Sequence, residues 1–540
     1  MKRVWIGAAI LAISLLNFFQ FPGHTWLQSD TQIYAPILEH MWDPTALGKD
    51  LIVQYPHVAF TLYDETAIAL RKVTGLDFRR VLEGEQFVLR ALGIWGVYLM
   101  ATALGLSDLL ALLVAAIFSL GAFITGPAVV IFEYEPVPRG FAVALIFLAI
   151  GLVAHNRFLG AAVAASAALL LHPPSTVPFW VVYFCLAIWP SETVGRQRKL
   201  TALAVLAGAA TILLIASRFQ DGSGAVFFSR LDPHQAELQR MRASYSWISM
   251  WWKDRQAQYL ILYALTVVAY WRMRNDVPQT LRFYLIGLPF IGLISLSISY
   301  VLLEGMQWAL MPEFQPGRAL LFVTAFAMIL GAVAACKAVA GKHYAEAIGW
   351  LVLAYLPPAN RLVEWPSWNR VFVILTLAAL TTAAIWTVLS AARWARAVIV
   401  AAALAPFFLI PTWGGMENYP PLHNANLDQL SQWARTSSPK DAVFLFPDAK
   451  EDLSPGVFRA QALRAVYVDW KAGGQVNFFK DFGEEWWSRW QQTMAAPFNP
   501  NSMTAYRGLG IDYLVLQSRH RIPGMMPAFE NLSYVAYKAP

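Results

Sequence analysis

The sequence predicts a mainly α-helical bundle that crosses a membrane about thirteen times, N-terminus inside and C-terminus outside, followed by a small α/β domain on the outer face. Three observations predict it. Of 540 residues, 57% are hydrophobic and only 14% charged, against about 25% charged in an ordinary soluble chain. Apolar runs of membrane-spanning length recur from the N-terminus to about residue 413. Beyond that point the texture changes to short apolar stretches set among Gly, Pro and polar residues.

The net charge of +7 does not imply a nucleic-acid partner, because Lys and Arg sit in short loops between apolar runs and form no basic face. Cys185 and Cys336 fall in or beside apolar segments and give neither a disulfide framework nor a metal spacing. Lys2-Arg3 precede an apolar run to Leu16, but no small-x-small cleavage site follows, so this run is expected to stay as the first span.

A span needs about 20 apolar residues, or about 17 at the short end. The runs are 4–20, 87–106, 109–125, 139–154, 158–171, 176–190, 200–217, 258–271, 283–303, 318–336, 344–357, 370–390 and 397–413. Alternating them from an inside N-terminus puts Lys2/Arg3, Arg157, Arg196/Arg198/Lys199, Arg272/Arg274/Arg282, Lys337/Lys342 and Arg393/Arg396 on the inner side. That is the positive-inside bias, and it fixes the parity of the count. The outer side then receives the long loops 21–86 and 218–257, the shorter 126–138, 172–175, 304–317 and 358–369, and the C-terminal region. Residues 1–413 form the membrane domain and 414–540 the outer domain. In a bacterium this is the inner membrane with the working face toward the periplasm.

Within loop 21–86, residues 57–73 keep helical apolar spacing, with Asp64, Glu65, Arg71 and Lys72 largely opposed, as in a helix lying at the interface. In the outer domain, Asn426–Arg435 and Asp481–Gln492 read as helices. Ala442–Pro447, Ala465–Trp470, Asp512–Gln517 and Tyr534–Tyr537 read as strands.

Residues with chemical potential cluster where outer loops meet spans. Asp30 follows the first span. Glu133 and Glu135 flank Tyr134 in a Pro-bounded loop that leads to Arg139. His172 precedes two prolines. Arg230 and His234 lie in loop 218–257 near Trp247, Trp251 and Trp252, and Gln315 and Arg318 open a later span. Singly, each has a plain reading: solvated loop acids, a helix-capping histidine, tryptophans anchored at the interface. Jointly, acids and cations on one membrane face suit an anionic lipid-linked phosphate. Arg and Lys bind phosphate oxygens. A sugar leaving as its lipid phosphate needs cations for the developing charge, and the attacking acceptor needs a base.

The layout resembles the GT-C superfamily of membrane glycosyltransferases in its bacterial form. Asp30 in Ser29-Asp30-Thr31-Gln32-Ile33-Tyr34 matches the first-loop acid of that family, and Glu133-Tyr134-Glu135 stands where its second acidic motif belongs. The stretches 442–447 and 464–471, with Glu485-Trp486, are similar to the tails of bacterial members. The pattern departs in two places: no second acid follows Asp30, and Glu485-Trp486-Trp487 is followed by Ser488 where oligosaccharyltransferases have Asp.

The combined expectation is an inverting transferase that moves a sugar from a polyprenyl-phosphate donor to a glycan, lipid or protein acceptor, with membrane lipid around it. Asp30 would be the base. Glu133 and Glu135 would orient the sugar or a divalent cation, Mg or Mn. Arg139, His172, Arg230, His234, Gln315 and Arg318 would meet the lipid phosphate. Asp469 and Lys471 would bind acceptor or form a lid. The alternative is a non-catalytic protein of the same layout, such as a flippase, or a glycan ligase or polymerase.

Overall fold

The computed structural model describes residues 2–55, 60–189, 195–220, 228–251, 253–361, 364–417 and 422–539. Helix α1 (Lys2–Phe19) leads into a first loop that holds α2 (Thr31–Trp42), α3 (Leu51–Gln54) and α4 (Tyr63–Thr74). Then come α5 (Phe78–Ala103), α6 (Asp108–Ser119), α7 (Pro138–Ala154), α8 (Phe158–Leu171), α9 (Pro173–Ile188) and α10 (Arg196–Ala216). The second long loop carries α11 (Pro233–Arg242). It is followed by α12 (Lys253–Met273), α13 (Gln279–Ser299), the single turn α14 (Met311–Phe314), α15 (Leu320–Ala340), α16 (Tyr344–Ala359), α17 (Trp368–Leu389) and α18 (Ala395–Thr412).

Each apolar run of the sequence falls on a helix, except that the run 109–125 leaves its helix at Ser119 and ends in a short strand, Phe123–Ile124. Among the described residues, six helical stretches are long and apolar enough to cross a membrane: Phe78–Ala103, Gln197–Ala216, Gln279–Gly305, Met311–Ala340, Trp368–Leu389 and Ala395–Thr412. The chain is a multi-pass membrane protein. Helix α5 begins well before its apolar run because Asp77 caps it, accepting the Arg80 N–H at 2.8 Å. Its first turns are polar and extend beyond the apolar stretch.

Helix α15 lies at the centre, with its side chains buried almost from end to end. Helices α5 and α7 cross closely at Gly96 and Gly151. A Cβ on Gly96 would meet the Phe147 carbonyl oxygen at 2.3 Å, and one on Gly151 would meet the Gly96 carbonyl oxygen at 2.3 Å. Backbones approach this way at small residues when helices pack in lipid.

The interfacial helix expected over 57–73 is α4. Its first turn carries Asp64 and Glu65, and its last turn Arg71 and Lys72, each the sign the helix dipole favours. Residues 56–59 lie outside the described set.

A two-residue hairpin, β1 (Phe123–Ile124) with β2 (Val129–Val130), precedes α7. The C-terminal region holds α19 (Ala425–Ser437), β3 (Val443–Leu445), α20 (Ser454–Ala462), β4 (Ala465–Val466), α21 (Lys480–Thr493), β5 (Tyr513–Gln517), β6 (Phe529–Glu530) and β7 (Tyr534–Lys538). The sheet order is β4-β3-β5-β7-β6, parallel across β4-β3-β5 and antiparallel beyond. Helix α20 and strand β6 were not expected. The strand expected to reach Trp470 stops at Val466.

The core of this α/β region is shared with the first loop. Leu47, Leu51, Ile52 and Val53 pack with Trp486 and Leu514, and Leu27 and Ala35 pack with Phe444 and Phe458. The first loop is therefore held from two sides, by the membrane helices and by the C-terminal region.

Candidate active site

Asp30 stands at the N-cap of α2, where an aspartate would ordinarily turn back to accept the helix's free N–H groups. It makes no such bond. The Gln32 and Ile33 N–H groups bind the backbone oxygens of Ser29 and Asp30, at 3.2 and 2.9 Å, and Glu135 holds the turn before the helix and its first N–H. Its Oε1 accepts the Gln28 N–H at 2.5 Å, the Ser29 N–H at 2.7 Å and the Thr31 hydroxyl at 2.6 Å, and its Oε2 accepts the Thr31 N–H at 3.2 Å. Burial and the charge of Asp30 push the Glu135 carboxyl up, while its donors on Thr31 and Ser29 pull it down. With the helix end satisfied, the Asp30 carboxylate is turned outward.

Two cations meet it there. Arg139 Nη1 donates to Oδ2 at 2.7 Å and Lys471 Nζ donates to Oδ1 at 2.6 Å. Burial alone would raise the Asp30 carboxyl. Lys471 and then Arg139 outweigh it and hold the group well below the usual carboxylate range. Arg139 is pinned in turn by Glu133, donating from Nε at 2.5 Å and from Nη2 at 3.1 Å. Glu133 packs so close to the start of α7 that a Cβ on Gly140 would meet its Cβ at 2.8 Å.

Arg90, on α5, fastens the base of this arrangement. It donates to the backbone oxygens of Glu133 and Gly23 and to Asn17 Oδ1. Gln86 donates to the Glu133 carbonyl at 2.7 Å. Gln86 and Arg90 lie one turn apart, and that polar pair at the start of an apolar run was the legible signal for a role the sequence reading did not assign.

Around the ion cluster lie Tyr34, His172 and Arg318. Burial and then the charge of Asp30 push the Tyr34 phenol up. Burial, then Arg318 and Arg139, hold the His172 imidazole well below its usual range, and its Nδ1 accepts the Ser175 N–H at 3.3 Å. Among the described residues the Arg318 guanidinium has no ion-pair or hydrogen-bond partner, and its Nε is buried. Gln315 sits beside it at φ +47, with its Oε1 buried and unpartnered.

Glu133 is paired with Arg139, and Glu135 binds the turn before α2 and the first N–H of that helix. The residues present do not fit a divalent ion, since Asp30 and Glu133 converge on a guanidinium. Among the described residues no group of three or more His, Cys, Asp or Glu could hold a metal. Arg139 spends three of its five N–H donors on its two acids, Asp30 and Glu133. Arg230 and His234 are exposed and share no ion pair or hydrogen bond with the cluster among the described residues. Trp251 is buried rather than anchored in lipid; Trp252 lies outside the described residues.

Asp469 does not face the site either. It is buried in an ion cluster with Arg459 and Asp50. Asp50, from the first loop, accepts Arg459 Nε at 2.7 Å and the Val466 N–H at 2.8 Å through Oδ2, and it caps α3 through Oδ1. Asp469 accepts the Ala472 N–H at 3.0 Å through Oδ1. This fixes the turn that presents Lys471. Arg242 of α11 closes the same turn, donating to the Trp470 carbonyl while lying 3.6 Å from the centre of the Trp470 ring. Burial pushes the Arg242 guanidinium down to about 10. A cavity of about 490 Å³ beside Trp42, Arg71, Lys72 and Arg80 lies at the other end of α2 and takes no part in this cluster.

Comparisons with known proteins place these features in context. Residues 425–493 match a family described as a domain of unknown function, DUF6798. No curated protein matches the chain. Among solved structures, the chain is similar to the arabinofuranosyltransferase AftD from Mycobacteria, with 16% identity and a TM-score of 0.48 over 100% of this chain and 42% of that one. It is also similar to ArnT from Cupriavidus metallidurans bound to undecaprenyl phosphate, with 13% identity and a TM-score of 0.49 over 100% and 98% of the two chains. A third is an oligosaccharyltransferase from Archaeoglobus fulgidus, with 12% identity and a TM-score of 0.37 over 95% and 69%. These neighbours are glycosyltransferases of the superfamily the sequence resembles. The chain spans less than half the length of the mycobacterial protein. At these scores the likenesses carry no residue roles to this chain.

Proposed function

We propose that the protein is a GT-C type glycosyltransferase that moves a hexose or pentose from a polyprenyl-phosphate donor to an acceptor, with inversion, at the outer (periplasmic) face of the bacterial inner membrane. The single observation that carries the reading is Asp30, whose carboxylate makes no capping bond, in one charge cluster with Arg318, whose guanidinium has no ion-pair or hydrogen-bond partner among the described residues. A carboxylate grouped with a cation that has no acid of its own supplies a base and an anion site.

In this reading the donor phosphate binds at Arg318, near His172 and Gln315, and the polyprenyl chain lies along the membrane helices. The acceptor hydroxyl or amide approaches Asp30 and attacks the anomeric carbon from the face opposite the phosphate. The proton passes to an Asp30 oxygen as the bond to the anomeric carbon forms. The bond to the phosphate oxygen breaks, and the lipid phosphate leaves as an anion held by the guanidinium. No general acid is required, because phosphate is a stable leaving group. Neutral His172, with Nδ1 accepting from Ser175, carries its proton on Nε2 and can donate a hydrogen bond there without adding charge.

A flippase reading would need ionisable groups at the membrane midplane or broken helices in matched halves; the ion cluster lies at helix ends and in the loops between them instead. Membranes containing the protein, supplied with a panel of radiolabelled polyprenyl-phosphate hexoses and pentoses, should incorporate label from one donor. Incorporation from none, with the protein folded and inserted, would remove the transferase reading.

A further inference from the structure

In the resting arrangement both Asp30 oxygens are occupied by cations, and a base so tied is a poor proton acceptor. One of the two partners has to yield. Arg139 is the fixed one: it makes two bonds to Glu133 besides its bond to Asp30, and it rides on the first turn of α7. Lys471 is the free one. Among the described residues its ammonium group contacts only Asp30, at 2.6 Å, and the Ser29 hydroxyl, at 3.1 Å. Its side chain is 16% exposed. Meanwhile its backbone is held on every side. The Ala472 N–H binds Asp469, the Gly474 N–H binds the Lys471 carbonyl, the Trp486 indole binds the Asp469 carbonyl and Arg242 binds the Trp470 carbonyl. A rigid turn therefore presents a flexible cation, and only that side chain has freedom to move.

We propose that Lys471 is the exchangeable counter-ion of Asp30 and a ligand of the donor phosphate: when an anionic lipid headgroup settles beside Arg318, the ammonium passes from Asp30 Oδ1 to a phosphate oxygen. No covalent bond or proton changes hands in this step. One ion pair opens, another closes, and Asp30 Oδ1 is left facing the acceptor. The exchange rests on the transferase reading above and deepens it, because it makes donor binding the event that unmasks the base. It also gives the C-terminal region a task that Asp469 cannot perform: Asp469 positions the turn and Lys471 acts.

The test is binding of undecaprenyl phosphate to the purified full chain in detergent, followed by tryptophan fluorescence, with uncharged undecaprenol as the control. Opening the Lys471–Asp30 pair opposes binding in the native protein. Asp30→Asn should thus bind the phosphate lipid about tenfold more tightly than native, as expected for one charge-assisted hydrogen bond no longer to be broken. Lys471→Met should bind more weakly than native, and Asp30→Asn should bring no gain when added to Lys471→Met. Lys471→Arg, which keeps the charge, should restore most of the affinity and shows that the position tolerates change. An equal gain from Asp30→Asn with and without Lys471 would mean simple removal of a negative charge and would overturn the exchange. So would native affinity in Lys471→Met. If the native chain bound undecaprenyl phosphate no better than undecaprenol, the transferase reading and the exchange would fall together.

Discussion

Removing the Glu135 carboxylate tests the central claim that this side chain, and not Asp30, holds the start of α2. In Glu135→Ala four donors lose their acceptor: the N–H groups of Gln28, Ser29 and Thr31 and the Thr31 hydroxyl. A buried donor left without a partner costs about 1–3 kcal/mol. Water reaches part of this loop, so the four together should weaken it by about 3–6 kcal/mol rather than by their full sum. Glu135→Gln is the graded control. Its carbonyl can keep the three contacts of Oε1, but its NH₂ would then face the Thr31 N–H, a loss of about 1–3 kcal/mol. Amide hydrogen exchange reads the loop directly. The Gln28, Ser29 and Thr31 amides should exchange about 10²-fold faster or more in the alanine variant, since each 1.4 kcal/mol is a factor of about ten in opening. The effect should be smaller in the glutamine variant and absent from the C-terminal sheet. Unchanged protection of the three amides in Glu135→Ala would refute the argument.

Three other outcomes follow from the same geometry. Asp30→Asn should lower transfer about 10²–10⁴-fold, the range for loss of a general base, with membrane insertion unchanged; full activity in a filter-based transfer assay would exclude Asp30 as the base. Arg459→Met leaves Asp50 and Asp469 facing each other without a cation, and should cost about 3–5 kcal/mol, seen as a lowered unfolding midpoint in detergent. The third concerns His172, whose imidazole is held below its usual range by burial and then by Arg318 and Arg139. The unfolded chain takes up a proton as pH falls through about 6.5 while the folded chain does not, so stability should decline below that pH by up to about 1.4 kcal/mol per unit. His172→Gln should remove this component from a plot of unfolding midpoint against pH.

The helices were legible because apolar runs and their length report burial in lipid, a property each segment carries by itself. The acids were legible for the same local reason: Asp30, Glu133 and Glu135 stand out in loops that follow apolar spans. Their roles were not. Glu133 finds its guanidinium six residues on, at Arg139, but the donors that Glu135 accepts lie about a hundred positions away, and no periodicity records that pairing. Glu135 and Asp30 exchange the tasks their positions suggest, since the residue at the N-cap does not cap and the residue in the distant loop does. Asp50 gave no signal, because one aspartate in a polar loop looks solvated until Arg459 and Asp469 are folded against it. Asp469 and Lys471 were read together as acceptor-binding or lid residues, yet the chain turns between them and sends one inward and the other to Asp30.

The ion cluster also explains why the first loop and the C-terminal region share a core. Asp30 is aimed by Glu135 from the second loop, tied by Arg139 at the head of α7, and masked by Lys471 from beyond the last membrane helix. Each of these contacts depends on placement to within a few tenths of an ångström, which a domain tethered only by a flexible linker would not hold. Packing Leu47, Leu51 and Ile52 into the C-terminal core, and locking Asp50 to Arg459, makes the turn that carries Lys471 part of the same rigid unit as the loop that carries Asp30. Substitutions in that shared core, far from any substrate, should therefore act on the Lys471–Asp30 pair as well as on stability. Leu51→Ala, which empties part of the core at a cost of about 2–5 kcal/mol, should loosen the turn and bring the phosphate affinity toward that of Lys471→Met. A variant that lost stability but kept native affinity for undecaprenyl phosphate would show that the core supports the fold without positioning the lysine.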